Sequence, residues 1–313
     1  MLFLSFIVPM YNSSKTIERC LFSLINQNTS IKYEIIVIDD GSNDGSDKII
    51  EKFNGSIIYF KQNNFGPSNA RYSGVKLSSS LYTAFVDSDD SVSSDYVESV
   101  YQAYLKFQFD ICIIDLNIIR NGNAAVLKKS FFKNEGIINS NDYLYALAVT
   151  GDIGFSASRI YATKLLLNRY RISDLKFSED LYLGIVMYEK TDEIYYLNKA
   201  IYNYFLFSGT LSSSINIDIV KNSLQVLECR KKILDKYSLQ KNFLVYAKKT
   251  FYSLISKIIK AKKTTLGQKR QMIMSVYDSD IFVLLITKKR YLFKSLSCKQ
   301  KIVVFISLFF YYF

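Results

Sequence analysis

The chain contains no histidine, and that absence removes several chemistries at once. Without imidazole there is no Ser-His-Asp triad, no Cys-His nucleophile and no zinc site built on histidine. Cysteine is scarce: Cys20, Cys112, Cys229 and Cys298 stand far apart and form no CxxC pair. Cys20 and Cys112 sit within apolar patterns and read as small core residues in a reducing compartment. No GxGxxG follows a strand-like run, which argues against a dinucleotide-binding enzyme. The apolar end, residues 302–313, offers 12 positions, against the roughly 20 that a bilayer-spanning helix needs. The apolar start, Met1 to Pro9, lacks a basic n-region and a small-residue cleavage site, so it reads as a first core strand.

What is present describes a folded protein. Of 313 residues, 49% are hydrophobic and 22% charged, with 25 Tyr and 23 Phe although Trp is absent. Acidic residues run out towards the end. Residues 1–218 hold 20 Lys and Arg against 24 Asp and Glu, a net charge of −4. Residues 219–313 hold 20 against 4, a net of +16, so this stretch carries the whole excess. Such asymmetry suggests an acidic catalytic part and a basic part that meets a polyanionic surface. No recognisable nucleic-acid motif accompanies the charge, and nucleic acid is not an expected partner.

The first 120 residues alternate strand and helix patterns, as a doubly wound α/β domain requires. Strands are expected at Leu4–Val8, Glu34–Ile38, Ile57–Phe60, Thr83–Val86 and Ile111–Leu116. Ile17, Cys20, Leu21, Leu24 and Ile25 mark an amphipathic helix. Further helices are expected through Ser46–Phe53, after Asn69 and near Asp95–Phe107. Residues 120–218 keep some strand and helix signals without the regular alternation. From Ile219 onward the pattern is mostly helical and rich in Lys.

Polar residues cluster where these strands end, and open α/β sheets bind ligands there. Pro9-Met-Tyr11-Asn12 follows the first strand, Asp39-Asp40-Gly41-Ser42 the second and Asp87-Ser88-Asp89-Asp90 the fourth. Each cluster alone is ordinary turn chemistry. Three on one sheet converge on one crevice. Carboxylates alternating as Asp87-x-Asp89 can offer oxygen ligands to one Mg²⁺ or Mn²⁺, with a diphosphate supplying the rest. A solvated acidic turn capping the next helix is the simpler alternative, but three Asp in four positions repel one another.

The segments SFIVPMYNSSKTIERCLFSLINQ, EIIVIDDGSNDGS, NNFGPSNARYSGVKLSSS and AFVDSDD together resemble the family 2 glycosyltransferases of the GT-A fold, over roughly residues 3–115. The resemblance implies a Rossmann-like α/β sheet, a mostly helical basic C-terminal region and an inverting, nucleotide-sugar-dependent enzyme. It implies a nucleotide site of Pro9, Tyr11, Asn12, Asp39, Gly41, Arg71 and Asp87, with Tyr11 stacking on the base and Asp39 accepting from it. Gly66, Arg71, Asp87 and Ser88 would face the donor sugar, and Asp89 would ligate the divalent metal. The family usually has Asn after the arginine, where this chain has Tyr72.

Further along, Glu179-Asp180 precedes an apolar helix, and in similar enzymes such a pair supplies the catalytic base. Asp180 is the matching residue: an acceptor hydroxyl must lose a proton as it attacks the anomeric carbon, and one displacement inverts the configuration. Two acids at a helix N-terminus are also common caps. Tyr202-Asn-Tyr-Phe205 looks like the family's Tyr-x-Tyr-Arg segment with Phe205 in place of the arginine.

The expected division is a catalytic domain over 1–218, with its nucleotide half at about 1–115 and its acceptor half at about 116–218, and a basic region over 219–313. Lysine pairs alternating with apolar residues in that region suit shallow binding to anionic headgroups, or equally a helical subdomain with a solvated lysine face. The resulting expectation is transfer from a nucleotide-sugar, with UDP the favoured carrier, to a saccharide or lipid-linked acceptor at the cytoplasmic face of the cell membrane. The alternative is a non-catalytic relative that binds nucleotide-sugar or membrane as a scaffold.

Overall fold

The computed structural model describes residues 2–120, 126–128, 132–140, 142–143, 146, 156–170, 179–188, 191, 193–206, 215–236, 240–261, 264–280, 282, 304 and 307. The chain forms two compact units. The first comprises residues 1–143, 152–174 and 179–207, and the second residues 144–151, 175–178 and 208–313.

The first unit is built on one sheet. Its strands are β1 (Leu4–Met10), β2 (Tyr33–Asp39), β3 (Ile58–Lys61), β4 (Tyr82–Phe85), β5 (Ser91–Val92), β6 (Ile111–Arg120), β7 (Val126–Lys128), β8 (Gly136–Ile138), β9 (Arg159–Ala162) and β10 (Ile194–Leu206). Their order is β3-β2-β1-β4-β9-β6-β10-β5, with β7 beside β6 and β8 beside β10. The first four in that order run parallel. Met10 lies opposite Asp39 and Asp39 opposite Lys61, so three strands finish level and deliver their following turns to one edge.

Burial explains the pattern. Leu4, Phe6, Ile7 and Val8 are wholly buried, as are Ile36, Val37 and Ile38. Buried on both faces, such strands read as continuous apolar runs. The edge strand β3 differs: every residue in it is exposed, and among the described residues it has a strand neighbour on one side alone. Its apolar run therefore marks a sheet rim and not the core, and it begins one residue later than the pattern suggests.

Helix α1 (Ile17–Ile25) buries Ile17, Cys20, Leu21 and Leu24, the face that the spacing predicts. Helix α2 (Ser46–Ile50) passes into a 3₁₀ turn over Glu51–Phe53. Helix α3 (Pro67–Leu77) starts earlier than expected, with Pro67 in its first turn behind Gly66 at φ +88°. At Gly74 the helix presses on β1: a Cβ there would fall 2.4 Å from Ile7 Cγ2. Helix α4 (Tyr96–Lys106) follows β5, and α5 (Thr163–Arg169) and α6 (Glu179–Tyr188) lie further along the unit.

The second unit contains α7 (Ile217–Lys236), α8 (Gln240–Lys260) and α9 (Leu266–Tyr277). Val220, Leu227, Phe243, Ala247, Phe251, Ile255, Ile258, Ile273 and Val276 form a core of its own. Thr265 caps α9 in a reciprocal pair with Gln268. No helix among the described residues is long and apolar enough to cross a membrane. Apart from Val304 and Ser307, both buried, the apolar end lies outside the described residues.

Candidate active site at the strand ends

Side-chain hydrogen bonds knit the turns after β1, β2 and β4 together. The Asn12 amide donates to Ser42 Oγ at 3.0 Å, and the Asn43 amide donates back to Asn12 Oδ1 at 3.0 Å. Asn12 adopts φ +50°, a conformation Asn tolerates better than most side chains. Ser13 donates its amide to Ser46 Oγ at 2.9 Å, and its hydroxyl pairs with Ser88 at 2.7 Å. Three turns remote in sequence thus form one rim, with Tyr11 half-exposed on it.

Asp39 ends β2 and is wholly buried. The Ser42 amide donates to its Oδ1 at 2.8 Å and the Tyr59 hydroxyl to its Oδ2 at 2.8 Å, with Lys61 Nζ 3.6 Å away. Burial pushes this carboxyl up, but the Ser42 and Tyr59 hydrogen bonds and the Lys61 charge outweigh it and hold Asp39 below the ordinary carboxylate range. Its neighbour Asp40 does different work. It accepts from Gln62 Nε2 at 2.7 Å, the Phe65 amide at 3.0 Å and the Gly66 amide at 2.8 Å. Asp40 therefore fastens the loop that carries Gly66 beside the turn of Gly41, itself at φ +83°.

Arg71, buried on α3, donates Nη2 to Asp87 Oδ1 at 3.0 Å. The pair brings a fixed guanidinium to the carboxylate turn. Tyr72 turns elsewhere: its ring packs 5.4 Å from that of Tyr170, whose hydroxyl holds the Ser68 carbonyl at 3.0 Å. In the turn itself, Asp87, Ser88 and Asp89 are half-buried and Asp90 wholly so. Burial and then the Asp87 charge raise the Asp89 carboxyl above its ordinary range. Burial raises Asp90 well above its ordinary range, and the charges of Asp87 and Asp89 add to it.

Sequence reasoning placed Asp90 in the cluster without giving it a role, and it gave Tyr202 no partner. The Tyr202 hydroxyl donates to Asp90 Oδ2 at 2.6 Å and accepts from the Asp87 amide at 3.1 Å, while the Phe205 amide donates to Asp90 Oδ1 at 2.9 Å. The signal was faint: Asp90 is one acid among three, and Tyr202 sits in a strand full of tyrosines. Asp180 is the second residue of α6, but its side chain lies outside the described residues, as does the Ser-rich stretch after Leu206.

Among the described residues no three carboxylate or thiol side chains converge on a point where an ion could sit. A metal held by one or two carboxylates and completed by a diphosphate needs no such cage. The donor set suits that arrangement: Asp89 is partly accessible, all-oxygen and crowded by like charge that a cation would relieve.

Parallel strands finishing level, with polar turns gathered over their ends, form the ligand-binding edge of an open α/β sheet. The crystal structure of Staphylococcus aureus TarS residues 1–349 superposes with a TM-score of 0.65 at 22% identity, covering 92% of this chain and 85% of that one. The same fragment is also solved in complex with UDP-GlcNAc, at a TM-score of 0.60 and 22% identity, covering 98% of this chain and 80% of that one. Residues 5–158 match the model of Glycosyl transferase family 2. Residues 5–158 thus belong to the family 2 glycosyltransferases, and the chain carries the GT-A fold.

Three relatives add to this. Glycosyltransferase GlyA of Streptococcus pneumoniae serotype 4 is 32% identical over 218 residues, 66% of this chain. The match spans 31% of GlyA's own length. Cholesterol galactosyltransferase of Borreliella burgdorferi is 28% identical over 278 residues, 80% of this chain and 74% of that protein. TarS of Staphylococcus aureus strain Mu50 bears the name poly(ribitol-phosphate) beta-N-acetylglucosaminyltransferase; it is 28% identical over 211 residues, 64% of this chain and 35% of that protein.

Proposed function

We propose that this chain transfers a sugar from a nucleotide-sugar, most simply a UDP-sugar, to an acceptor hydroxyl in the synthesis of a cell-surface polysaccharide or glycolipid. The observation that carries the reading is the meeting of Asp39, the Arg71–Asp87 pair and Asp89 beyond β1, β2 and β4. Family membership and the names of its relatives support the reaction class and the surface-polymer setting. UDP is the favoured carrier because the similar TarS fragment is solved with UDP-GlcNAc.

In this reading residues 1–218 are the catalytic domain. Pro9, Tyr11, Asn12, Asp39 and Gly41 receive the nucleoside, with Tyr11 stacking on the base. Gly66, Arg71, Asp87 and Ser88 line the diphosphate-sugar, where a guanidinium already oriented by Asp87 needs no rearrangement to meet anionic oxygen. Asp89 holds Mn²⁺ or Mg²⁺, which when bound offsets charge on the departing nucleoside diphosphate. Asp180, at the start of α6, takes the acceptor proton. A single displacement inverts the anomeric centre.

The basic region over 219–313 is read as contacting an anionic surface, which suits a lipid-linked acceptor. Exposed Lys221, Lys232, Lys249, Lys257, Lys260 and Arg270 supply charge from a unit with its own core.

Calorimetric titration with UDP, with and without Mn²⁺, tests the donor site in the wild type and in Asp89→Ala. Metal-dependent UDP binding that Asp89→Ala abolishes is the expected result. No UDP binding under either condition would sink the uridine assignment. Binding without transfer to any lipid-linked or saccharide acceptor would favour a non-catalytic scaffold, a reading to which Phe205 in place of arginine lends its weight.

A further inference from the structure

Arg19, on α1, has no part in the donor site as described so far. Its guanidinium carbon lies 3.8 Å from the centroid of the Phe205 ring, and its Nη2 donates to the backbone carbonyl of Asp89. Helix α1, the Asp87–Asp90 turn and the far end of β10 therefore meet at one side chain. Phe205 is tied to the same turn independently, since its amide donates to Asp90 Oδ1 at 2.9 Å. Helix α1 also grips the next residues through neutral groups: Ser23 Oγ accepts the Val92 amide at 3.1 Å, and Gln27 Nε2, just past the helix, donates to the Ser93 carbonyl at 2.9 Å.

We propose that Arg19 is a positioning residue which, stacked on Phe205, fixes the Asp89 backbone and so the direction in which the Asp89 carboxylate meets donor and metal. The segment Tyr202–Phe205 lacks the arginine that its pattern led us to expect, and a guanidinium reaches Phe205 from α1 instead. Two restraints act on this one guanidinium. The aromatic face holds the guanidinium plane, and the carbonyl holds its edge. A lysine could supply the charge but neither the planar stack nor the fork. The positive charge also offsets repulsion among three neighbouring carboxylates. This role rests on the donor-site reading above.

The test uses the full chain with Arg19→Gln, Arg19→Lys, Phe205→Leu and Phe205→Tyr. UDP is titrated at a series of Mn²⁺ concentrations, and amide hydrogen exchange is followed across residues 87–92. Arg19→Gln is expected to raise the Mn²⁺ concentration needed for UDP binding by about tenfold while metal-free UDP binding stays as in the wild type. Phe205→Leu should act in the same direction, Arg19→Lys should rescue in small part, and Phe205→Tyr should retain wild-type behaviour. Exchange at residues 87–92 should quicken in Arg19→Gln and Phe205→Leu while β1 and β2 keep their protection. An unchanged Mn²⁺ requirement, or an equal loss of metal-free and metal-dependent binding, overturns the proposal. If the wild type binds no UDP, the uridine assignment fails on its own, and exchange decides here. Quickening confined to 87–92 upholds the positioning role, and unchanged exchange overturns it. Should Arg19→Gln fail to fold, Arg19→Lys and Phe205→Leu carry the same readouts.

Discussion

The Tyr202 hydroxyl lies 2.6 Å from Asp90 Oδ2, and both side chains are wholly buried. The same oxygen receives the Asp87 amide, so one phenol from β10 closes the carboxylate turn that follows β4. Tyr202→Phe keeps the ring and removes the oxygen. It leaves a buried carboxyl and a backbone amide each short of a partner, at a cost of about 1–3 kcal/mol. Chemical denaturation should register that loss, and UDP affinity in the presence of Mn²⁺ should fall with it.

Arg71→Ala removes the guanidinium and leaves Asp87 without this ion pair. Transfer activity is expected to drop by about 100-fold, the scale for losing a preorganised charge at a reacting centre. Thermal unfolding should shift little by comparison, because Asp87 is partly solvated. A large loss of stability with activity per folded molecule preserved would assign Arg71 to packing.

Gly74→Ala probes the contact of α3 with β1. The added methyl falls 2.4 Å from Ile7 Cγ2, on a β-branched side chain in a strand that cannot swing aside. Helix propensity favours alanine by roughly 1 kcal/mol, whereas overpacking costs roughly 1–3 kcal/mol. A net destabilisation in urea unfolding is therefore expected, and a stabilised variant would refute the close approach.

Acid should loosen the rim between the first two turns. Burial works against the charge on Asp44, but hydrogen bonds from Ser46 and Ser14 outweigh it and bring the carboxyl down to about 2. A folded pKa below the unfolded one means stability that is present above the ordinary carboxylate range and lost as pH falls towards the folded value. Asp39, also held low, acts in the same direction. Unfolding measured between about pH 4 and pH 2 should therefore show a shallower pH dependence in Asp44→Asn than in the wild type.

Strands β1, β2 and β4 were legible because they are largely buried on both faces, and such burial writes itself as apolar runs such as Phe6-Ile7-Val8. The acidic strand ends were legible for the opposite reason: carboxylates packed side by side are costly without a use. The partition of labour inside each cluster was not. Asp39 and Asp40 are adjacent in sequence, yet one is held by Ser42 and Tyr59 and the other ties down Gly66. Alternation along the chain cannot distinguish them, since each partner arrives from another strand or loop. The length of β10 was hidden similarly. Its 13 residues mix tyrosines, Asn and Lys, and their pairing with β6 passes through shifts in register that break any regular pattern.

The rim strand β3 gives the proposed nucleoside pocket an unusual foundation. Tyr59, which secures Asp39, stands on a strand with β2 as its single strand neighbour among the described residues. Whatever loosens or grips that outer strand, be it transient fraying or another polypeptide laid along its outer edge, reaches Asp39, the carboxylate proposed to meet the base, through the Tyr59 hydroxyl and the Lys61 charge. The margin of the sheet would then work as a dial on donor affinity, adjustable from outside without anything entering the crevice.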